Sequence, residues 1–394
     1  MNSDDFRAPA AGRLVRVAGG AFAFVPSPLP PKLDFDQDLV NRLSRADALL
    51  GELSGLGRQL PNPHLLIAPY TRREAVLSSR IEGTHTTLSE LLLDELSALP
   101  ETTDLREVRN YVAALEHGIE RLKTLPLSLR LVQELHAKLM DQVRGGQAAP
   151  GEFRRTQNWI GPPGSTLATA AYVPPPVPEM LEALGQWETY LHRAGELPDL
   201  VQCALVHAQY EAIHPFLDGN GRIGRLLITL FLIARGRLSE PLLYISSYLE
   251  PHRAEYYEAL RRVNAAGGWT GWLRLFLTAV ERSAADARRQ ARRLLELREG
   301  YRELMRGKPK ALMLLDELFA SPYITVPRAA AALAVSYPTA RTAVRTLVEA
   351  GLVEQLGGGA WRRVYVARPI LAVLEDSGEG SAESFGERAD PLSL

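Results

Sequence analysis

The 394-residue sequence contains one cysteine, Cys203. A single thiol can form no internal disulfide and excludes a zinc site built from several cysteines, which suits a reducing cytosol. The first ten residues include Asp4, Asp5 and Arg7 and have no apolar core, so we expect no secretory signal. The longest apolar helix candidate, 226–234, is far shorter than the ~18 residues that span a bilayer. We therefore expect a cytoplasmic protein without a membrane segment.

The sequence also has no excess of charge of one sign. Lysine and arginine number 45 against 46 aspartate and glutamate residues, for a net charge of −1. Such a chain has no overall field that attracts nucleic acid or an anionic membrane, so any contact with nucleic acid must be local. The length has room for two or three domains, and 46% hydrophobic residues are enough for a large core.

The most informative stretch is 214–225, which reads HPFLDGNGRIGR. Helical patterns precede it at 201–213 and follow it at 226–234, so the stretch is predicted to be a tight loop between two helices. Glycines let the backbone approach a ligand closely, and amides just before a helix N-terminus attract anions. The amides of 219–221 therefore predict a cradle for phosphate.

The side chains of the same stretch add the groups that a phosphate reaction needs. His214 has an ordinary pKa near neutrality and is the natural proton acceptor for an incoming hydroxyl. Asp218 can hold a Mg²⁺ ion that bridges phosphates, and Arg222 and Arg225 can neutralise more distal phosphates. We therefore interpret 214–225 as a candidate nucleotide site.

Three other interpretations of this stretch are weaker. Gly219, Gly221 and Gly224 fit the dinucleotide-binding fingerprint as text, but that fingerprint follows a strand, and here a helix precedes it. The Gly-x4-Gly-Lys-Ser/Thr sequence of a P-loop occurs nowhere in the chain. In the third interpretation the stretch is a helical corner, in which His214 belongs to the core and Asp218 caps a helix; the number of suitable residue types at this spacing argues against it.

The stretch resembles the signature of the Fic family, HPFx(D/E)GNGRxxR, and matches it at every specified position. The resemblance implies a mostly α fold, a Fic/Fido helical core, that transfers AMP from ATP to a hydroxyl group of a protein. Carried over by position, His214 is the catalytic base, Asp218 the Mg²⁺ ligand, 219–221 the anion hole and Arg225 the partner of the γ-phosphate. The remaining signature residues are included in the expected nucleotide site: Arg222, Ile223 and Gly224.

A second stretch, 71–84, is predicted to be a helix of about three turns. Thr71 and Glu74 have the spacing of a capping box, and Gly83 is placed to end the helix. Ser78 and Glu82 lie four residues apart and share one side, which by itself fits a solvated flank. The segment also resembles the family's inhibitory motif, (S/T)xxxE(G/N), with Ser78, Glu82 and Gly83 at its specified positions. The resemblance implies that Glu82 takes the guanidinium of Arg225 and adds negative charge where ATP must place its phosphates.

The segment 151–164 lacks a helical period and is predicted to be a small β-hairpin. It resembles the flap over the Fic active site, where an exposed strand edge can pair with an extended segment of the target protein; an ordinary surface hairpin is the alternative. Three of its residues are candidates for nucleotide contact: Trp159, Ile160 and Gly161. Tyr257 and Asn264 resemble family positions around the adenine, although tyrosines at helical spacing are more often core residues. His252 departs from the asparagine expected in close relatives.

Beyond 269 the pattern predicts one or two long charged helices, which often bridge domains or form dimer contacts, so a homodimer stays open. The last folded piece, 310–370, resembles a winged helix-turn-helix module. Arg341 and Arg345 lie four residues apart on its third helix, and Arg362 and Arg363 lie in the predicted wing at 352–366. This basic face can meet DNA phosphates, with protein docking or dimerisation as the alternative. The acidic, Gly/Ser-rich end is predicted to be a disordered tail.

These observations predict five regions: an N-terminal Fic-associated domain with the inhibitory helix (1–104), a Fic core (105–290), a helical linker (291–309), a winged helix domain (310–370) and the tail (371–394). The function that they favour is auto-inhibited transfer of AMP from ATP, with Mg²⁺, to a Ser, Thr or Tyr hydroxyl of a target protein or of the chain itself. Two alternatives stay open. One is removal of AMP by the same site, with Glu82 positioning a water molecule, and the other is a DNA-binding regulator whose Fic domain senses nucleotide.

Overall fold

The computed structural model describes residues 5–6, 8–59, 64–96, 102–143, 149–162, 164–357 and 363–376. The N-terminal part holds an antiparallel hairpin and three helices: β1 (Gly12–Arg16), β2 (Phe22–Pro26), α1 (Gln37–Gln59), α2 (His64–Ile81) and α3 (Leu88–Asp94). The hairpin pairs Gly12 with Pro26 and Arg16 with Phe22. Thr87 and Glu90 form the capping box predicted before α3.

The middle of the chain is helical: α4 (Thr103–Arg121), α5 (Leu129–Leu139), α6 (Val177–Leu191), α7 (Asp199–Ile213), α8 (Asn220–Ala234), α9 (Ser246–Leu249), α10 (Arg253–Ala266) and α11 (Trp269–Leu304). α7 is buried on nearly all sides, because α8, α6 and α11 surround it. The indole N–H groups of Trp187 and Trp272 donate to the α7 carbonyls of Val206 and Ala204, each at 2.9 Å. α7 is thus fixed at the centre of the core, and its C-terminal end carries His214.

The helix that precedes Glu82 begins earlier than predicted. It begins at His64, so Thr71 and Glu74 lie inside α2, and the predicted capping box at this position is wrong. Both side chains are buried, and the Glu74 carboxylate accepts hydrogen bonds from the amide and hydroxyl of Ser246, at 3.1 and 2.6 Å. The spacing alone cannot distinguish a cap from a buried carboxylate that finds its donors on another helix.

The segment 151–164 is not the regular hairpin that the sequence predicts. Its one β-type pairing among the described residues is an isolated antiparallel bridge between Ile160 and Tyr172, with N–O distances of 2.8 and 3.0 Å. The backbone turns instead toward the loop after α7, where the Arg154 amide donates to the Pro215 carbonyl at 2.9 Å. Phe153 packs against Phe216, with the ring centroids 5.2 Å apart. Contacts with the core therefore replace strand pairing.

The C-terminal part consists of α12 (Pro309–Ala320), β3 (Tyr323–Thr325), α13 (Val326–Leu333), α14 (Tyr337–Glu349), β4 (Glu354–Leu356), β5 (Val364–Val366) and α15 (Arg368–Glu375). The sheet has three antiparallel strands in the order β3-β5-β4, one more than the predicted two-stranded wing. Arg362 lies outside the described residues. The predicted boundary at residue 290 falls inside α11, which is one continuous helix.

The predicted tail begins too early at residue 371, because α15 continues to Glu375. Leu371, Val373 and Leu374 are buried, and α15 packs against α11. The apolar side of α15 therefore packs on α11. The amino-acid composition of this segment does not reveal that packing. The predicted tail from 377 onward lies outside the described residues. Within the described part of the chain, no helix combines the length and apolar character needed to span a bilayer.

The buried Glu74 carboxyl leads to a prediction about stability. Burial raises its pKa from 4.5 to about 7, although the hydrogen bonds from Ser246 and Tyr111 act in the opposite direction. The folded state therefore holds this proton more tightly than the unfolded chain does, so the stabilisation is complete below about pH 4.5 and is lost as the pH rises through 7. We expect Glu74→Gln to flatten the pH dependence of the unfolding free energy in this range, measured by urea denaturation. Glu116→Gln, on the exposed side of α4, is the control; equal slopes in both variants would contradict the prediction.

Candidate active site

The stretch 214–225 begins as a loop between two helices, but α8 already starts at Asn220, so the predicted loop is too long and only 214–219 lies between the helices. His214 caps the C-terminus of α7 in the left-handed conformation with φ of 49°, and Gly219 precedes α8 with φ of 77°. Both residues reverse the chain within a few positions. The first amides of α8 therefore point toward the same side of the molecule as the end of α7.

Three side chains, two from the segment 151–164 and one from α8, hold this loop. The Asn220 amide group donates to the Phe216 carbonyl and accepts from the Phe216 amide, both at 2.9 Å. The Arg154 Nε donates to the His214 carbonyl at 3.0 Å, and Asn158 donates to the Phe216 carbonyl at 2.9 Å. The Asn220 side chain is thus used within the loop, and only its backbone is placed for a ligand. The sequence does not predict these roles of Arg154 and Asn158, because the extended pattern of 151–164 does not reveal which of its side chains contact the loop.

The His214 ring is half-buried at the end of α7. Burial lowers the pKa of His214 to about 4, and the positive charge of Arg154 acts in the same direction. The backbone carbonyl of Glu211 and the carboxylates of Glu82 and Asp218 oppose this shift. The ring is therefore neutral at pH 7 and able to accept a proton, which a general base requires.

Glu82 and Arg225 meet beside the N-terminus of α8. Arg225 is fully buried, and its Nη2 donates to the Glu82 Oε1 at 2.6 Å and to the Ser78 carbonyl at 3.0 Å. Its Nε donates to the Ser78 hydroxyl oxygen at 2.9 Å. Burial alone would raise the pKa of Glu82, but the charge and hydrogen bond of Arg225 outweigh burial and the net pKa is lowered. Gly83 follows the end of α2 with φ of 96°, a conformation that favours glycine.

The Glu82 carboxylate also lies over the predicted phosphate cradle. A Cβ atom built on Gly221 would lie 2.3 Å from the Glu82 Oε1 and 3.0 Å from the Arg225 Nη1. The carboxylate is therefore in contact with the backbone of the first turn of α8. One acidic side chain thus fills the place where unpaired amides and a buried arginine would otherwise meet an anionic ligand.

Three further signature residues are held by protein contacts. The Arg222 guanidinium is buried, donates to Glu107 at 3.0 Å and lies 3.6 Å from the Asp218 carboxylate, and its charge also lowers the pKa of Glu82. Ile223 is fully buried in the hydrophobic core. A Cβ on Gly224 would contact the Glu211 Oε1, so its α-carbon is covered by protein. The expected nucleotide contacts of these three residues stay predictions.

Asp218 is placed to hold a cation. Its side chain is 51% exposed, and one carboxylate oxygen accepts from the Gly219 amide at 2.5 Å. The described residues contain no group of three or more acidic, histidine or cysteine side chains that could hold a metal ion by themselves. Mg²⁺ usually binds through one or two carboxylates together with substrate phosphates and water. A single exposed carboxylate, that of Asp218, therefore fits a Mg²⁺ ion that would take its other ligands from a nucleotide and water.

The other expected nucleotide contacts lie at the rim. Trp159 and Ile160 are 44% and 39% exposed, and a Cβ on Gly161 would lie 2.6 Å from a serine hydroxyl. Tyr257 is 40% exposed and Asn264 is buried on α10. Burial raises the pKa of Tyr257, and so does the negative charge of Glu82.

Sequence reasoning also missed three titratable residues around the loop. His207, on α7, contacts the Gly224 carbonyl at 3.0 Å and the Tyr256 hydroxyl at 2.9 Å. Burial raises the pKa of Glu211 to about 7. His136, on α5, is fully buried against the loop. No local motif in the sequence distinguishes these three positions from ordinary helix residues. The sequence therefore does not predict that they lie around the loop.

Two family models match consecutive parts of the chain. Residues 40–120 match the model for the Fic/DOC family N-terminal region, and residues 126–232 match the Fic/DOC family model. Over these residues the chain is similar to the Fic/DOC family, and part of it has distant similarity to Fic adenylyltransferases. The protein adenylyltransferases Fic of Drosophila grimshawi and Drosophila virilis are each 30% identical over 148 residues. This alignment covers 36% of the chain and 26% of each relative, so the chain spans about a quarter of the length of these relatives.

Two solved structures have the same fold. A Fic family protein from Desulfovibrio desulfuricans G20 superposes with a TM-score of 0.57 at 19% identity, over 86% of this chain and 98% of that one. A Fic domain containing signaling protein from Bacteroides thetaiotaomicron superposes with a TM-score of 0.50 at 19% identity, over 65% and 97% of the two chains. The mostly helical Fic fold with small sheets is thereby established.

Substitution of the adjacent residues Ser78 and Ser79 tests how much the hydrogen bond to Arg225 contributes to the unfolding free energy. Ser78→Ala leaves the buried Nε of Arg225 without its hydroxyl acceptor, and we expect the unfolding free energy to fall by about 1–3 kcal/mol. Ser79 is equally buried, but its hydroxyl has no hydrogen-bond partner among the described residues, so Ser79→Ala should change stability little. Chemical denaturation of both variants measures the difference. Equal losses would show that the Ser78 hydroxyl does not stabilise the guanidinium.

Proposed function

We propose that the protein is an auto-inhibited protein adenylyltransferase that moves AMP from ATP to a hydroxyl group of a protein. The observation that carries this proposal is the position of the Glu82 carboxylate, 2.6 Å from the buried Arg225 and against the backbone of Gly221. A carboxylate at that place mimics the charge of a phosphate. Removing it would free a guanidinium and the first amides of α8 for the phosphates of ATP.

The neutral ring of His214 takes the proton from the attacking hydroxyl as its oxygen bonds to the α-phosphorus of ATP. The bond from the α-phosphorus to the oxygen that bridges to the β-phosphorus breaks, and pyrophosphate leaves. Asp218 would hold Mg²⁺, which neutralises the charge that develops on the phosphates. The first amides of α8 stabilise the same charge, and Arg225 binds the γ-phosphate once Glu82 has withdrawn.

The segment 151–164 is the proposed docking place for the target protein. The exposed side chains of Trp159 and Ile160 lie on the segment whose Arg154 holds the carbonyl of His214. A target chain that binds this segment would bring its hydroxyl close to the His214 ring. Main-chain hydrogen bonds would place it independently of its sequence.

The direct test uses ATP labelled at the α-phosphate. We expect Glu82→Gly to increase label incorporation into the protein itself or into lysate proteins by at least tenfold, since one charge-assisted contact is worth about 1.5–3 kcal/mol. His214→Ala added to this variant should abolish incorporation while ATP still binds. An adduct with the mass of AMP, identified by mass spectrometry, establishes the transferred group.

Unchanged incorporation in Glu82→Gly, with ATP binding intact, would reject inhibition by Glu82. Retained incorporation in the double variant would reject His214 as the base. The reverse reaction, in which Glu82 positions a water molecule that removes AMP, is tested by incubating an AMP-modified target without ATP. Loss of AMP by the native protein, but not by Glu82→Gly, would favour removal as its function.

A second candidate function is DNA binding by the C-terminal part, which we propose to be a winged helix-turn-helix. The supporting observation is the solvent-facing side of α14, where Tyr337 is 55% exposed and Arg341 and Arg345 are both exposed. Arg345 lies 3.4 Å from the Glu349 carboxylate, so the basic surface is modest. Arg363 is described and exposed beside β5.

Mobility shifts on duplex DNA at several salt concentrations test this second function. We expect the double substitution Arg341→Ala and Arg345→Ala to weaken binding and to reduce the salt slope by about 0.9 for each lost phosphate contact. Arg306→Ala is the matched control, because its side chain is 80% exposed at the end of α11, away from α14. Equal effects of the control and the double variant would contradict a role for α14.

A further inference from the structure

His136 is a buried histidine that lies directly beneath the loop 214–219. Its ring stacks on Phe216 with the centroids 3.7 Å apart and the planes inclined by only 3°. The side chain comes from α5 and is fully buried, so it does not line the pocket. Neither the signature nor the proposed reaction uses it.

Both ring nitrogens of His136 are hydrogen-bonded, and the partners define the position of the proton. The amide N–H of Gly151 donates to Nδ1 at 2.9 Å, so Nδ1 is the acceptor and carries no proton. The proton of the neutral ring is therefore on Nε2, which donates to the Asp218 carbonyl at 3.1 Å. Burial lowers the pKa of His136 to about 4, in keeping with a neutral ring.

The loop lies directly against this ring and against Met140. A Cβ on Gly219 would lie 2.9 Å from the Met140 Sδ and 3.5 Å from the His136 Nε2. The Arg222 guanidinium lies 3.7 Å from the same sulfur and 3.6 Å from the Asp218 carboxylate. The backbone of Asp218 is thus held from below by His136, while its carboxylate extends toward solvent.

We propose that His136 is a positioning residue that sets the place of the Asp218 carboxylate, and through it the place of the divalent cation on the phosphates of the nucleotide. It also ties Gly151, at the start of the docking segment, to the loop that carries His214. The inference rests on the proposed function, because it needs a nucleotide that binds together with a cation. Groups that orient a metal ligand from behind typically change metal affinity by about 10–100-fold when they are removed.

The test compares ATP binding with and without the cation, by isothermal titration calorimetry in the Glu82→Gly background. His136→Phe keeps the stacking on Phe216 and removes both hydrogen bonds. We expect the gain in ATP affinity on adding Mg²⁺ to fall by about tenfold or more. The affinity in EDTA should stay within about twofold of the Glu82→Gly parent, since the amides of α8 and Arg225 are untouched.

Two further variants separate positioning from packing. The amide of a glutamine can reach the place of Nε2 and donate to the Asp218 carbonyl, whereas an asparagine reaches only the place of Nδ1. His136→Gln should therefore recover more of the Mg²⁺-dependent gain than His136→Asn. His117→Phe is the control: His117, on α4, pairs with Glu134 at 3.1 Å in a half-exposed contact and should leave the gain unchanged.

Each outcome bears on one of the two proposals. A full Mg²⁺-dependent gain in His136→Phe would overturn the role of His136 and leave the proposed function standing. Equal losses of affinity with Mg²⁺ and with EDTA would show that His136 only supports the fold, which also overturns its role. No ATP binding by the Glu82→Gly parent under either condition would overturn the proposed function, and this inference with it.

Discussion

The contact between Glu82 and the fully buried guanidinium of Arg225 is the interaction on which the proposed behaviour depends. A buried arginine without an anionic partner is unfavourable, so a negative group beside it stabilises the protein. In the described structure that group is the Glu82 carboxylate, supported by the backbone and hydroxyl of Ser78. A phosphate of ATP satisfies the same requirement. In this proposal the Glu82 carboxylate and a phosphate of ATP compete for the same guanidinium.

The opposite side of α2 explains why Glu82 is held firmly at this place. The Tyr70 hydroxyl donates to the Ala287 carbonyl at 2.7 Å, which fixes α2 to α11. The Arg73 guanidinium donates to the Asp376 carbonyl at 2.8 Å and lies 4.8 Å from the centre of the Tyr244 ring. Contacts with α11 and with the end of α15 therefore hold α2, the helix that ends at the candidate active site. Its position depends on parts of the chain that are distant in sequence.

The sequence predicted the parts of the site that depend on local chemistry. A loop that starts at residue 214 between two helices and the proximity of Glu82 to Arg225 are both present in the structure, although α8 begins at Asn220 and shortens the predicted loop. Their roles in catalysis and inhibition stay predictions. The errors concern tertiary contacts: Glu74 has the spacing of a cap but accepts hydrogen bonds from Ser246 inside the fold. The pairing of Arg222 with Glu107 is likewise a tertiary contact that the sequence does not reveal. His136 could not be found at all, since its function follows from stacking and from two backbone partners that no spacing rule encodes.

Calorimetric titration of ATP into the native protein and into Glu82→Gln tests the central claim most directly, because glutamine keeps the length of the side chain and removes only its charge. If a carboxylate and a phosphate compete for Arg225, the variant should bind ATP at least about tenfold more tightly, as expected for a difference of about 1.4 kcal/mol or more. The gain should disappear when Arg225→Ala is added. Equal affinities of the native protein and Glu82→Gln would contradict the account.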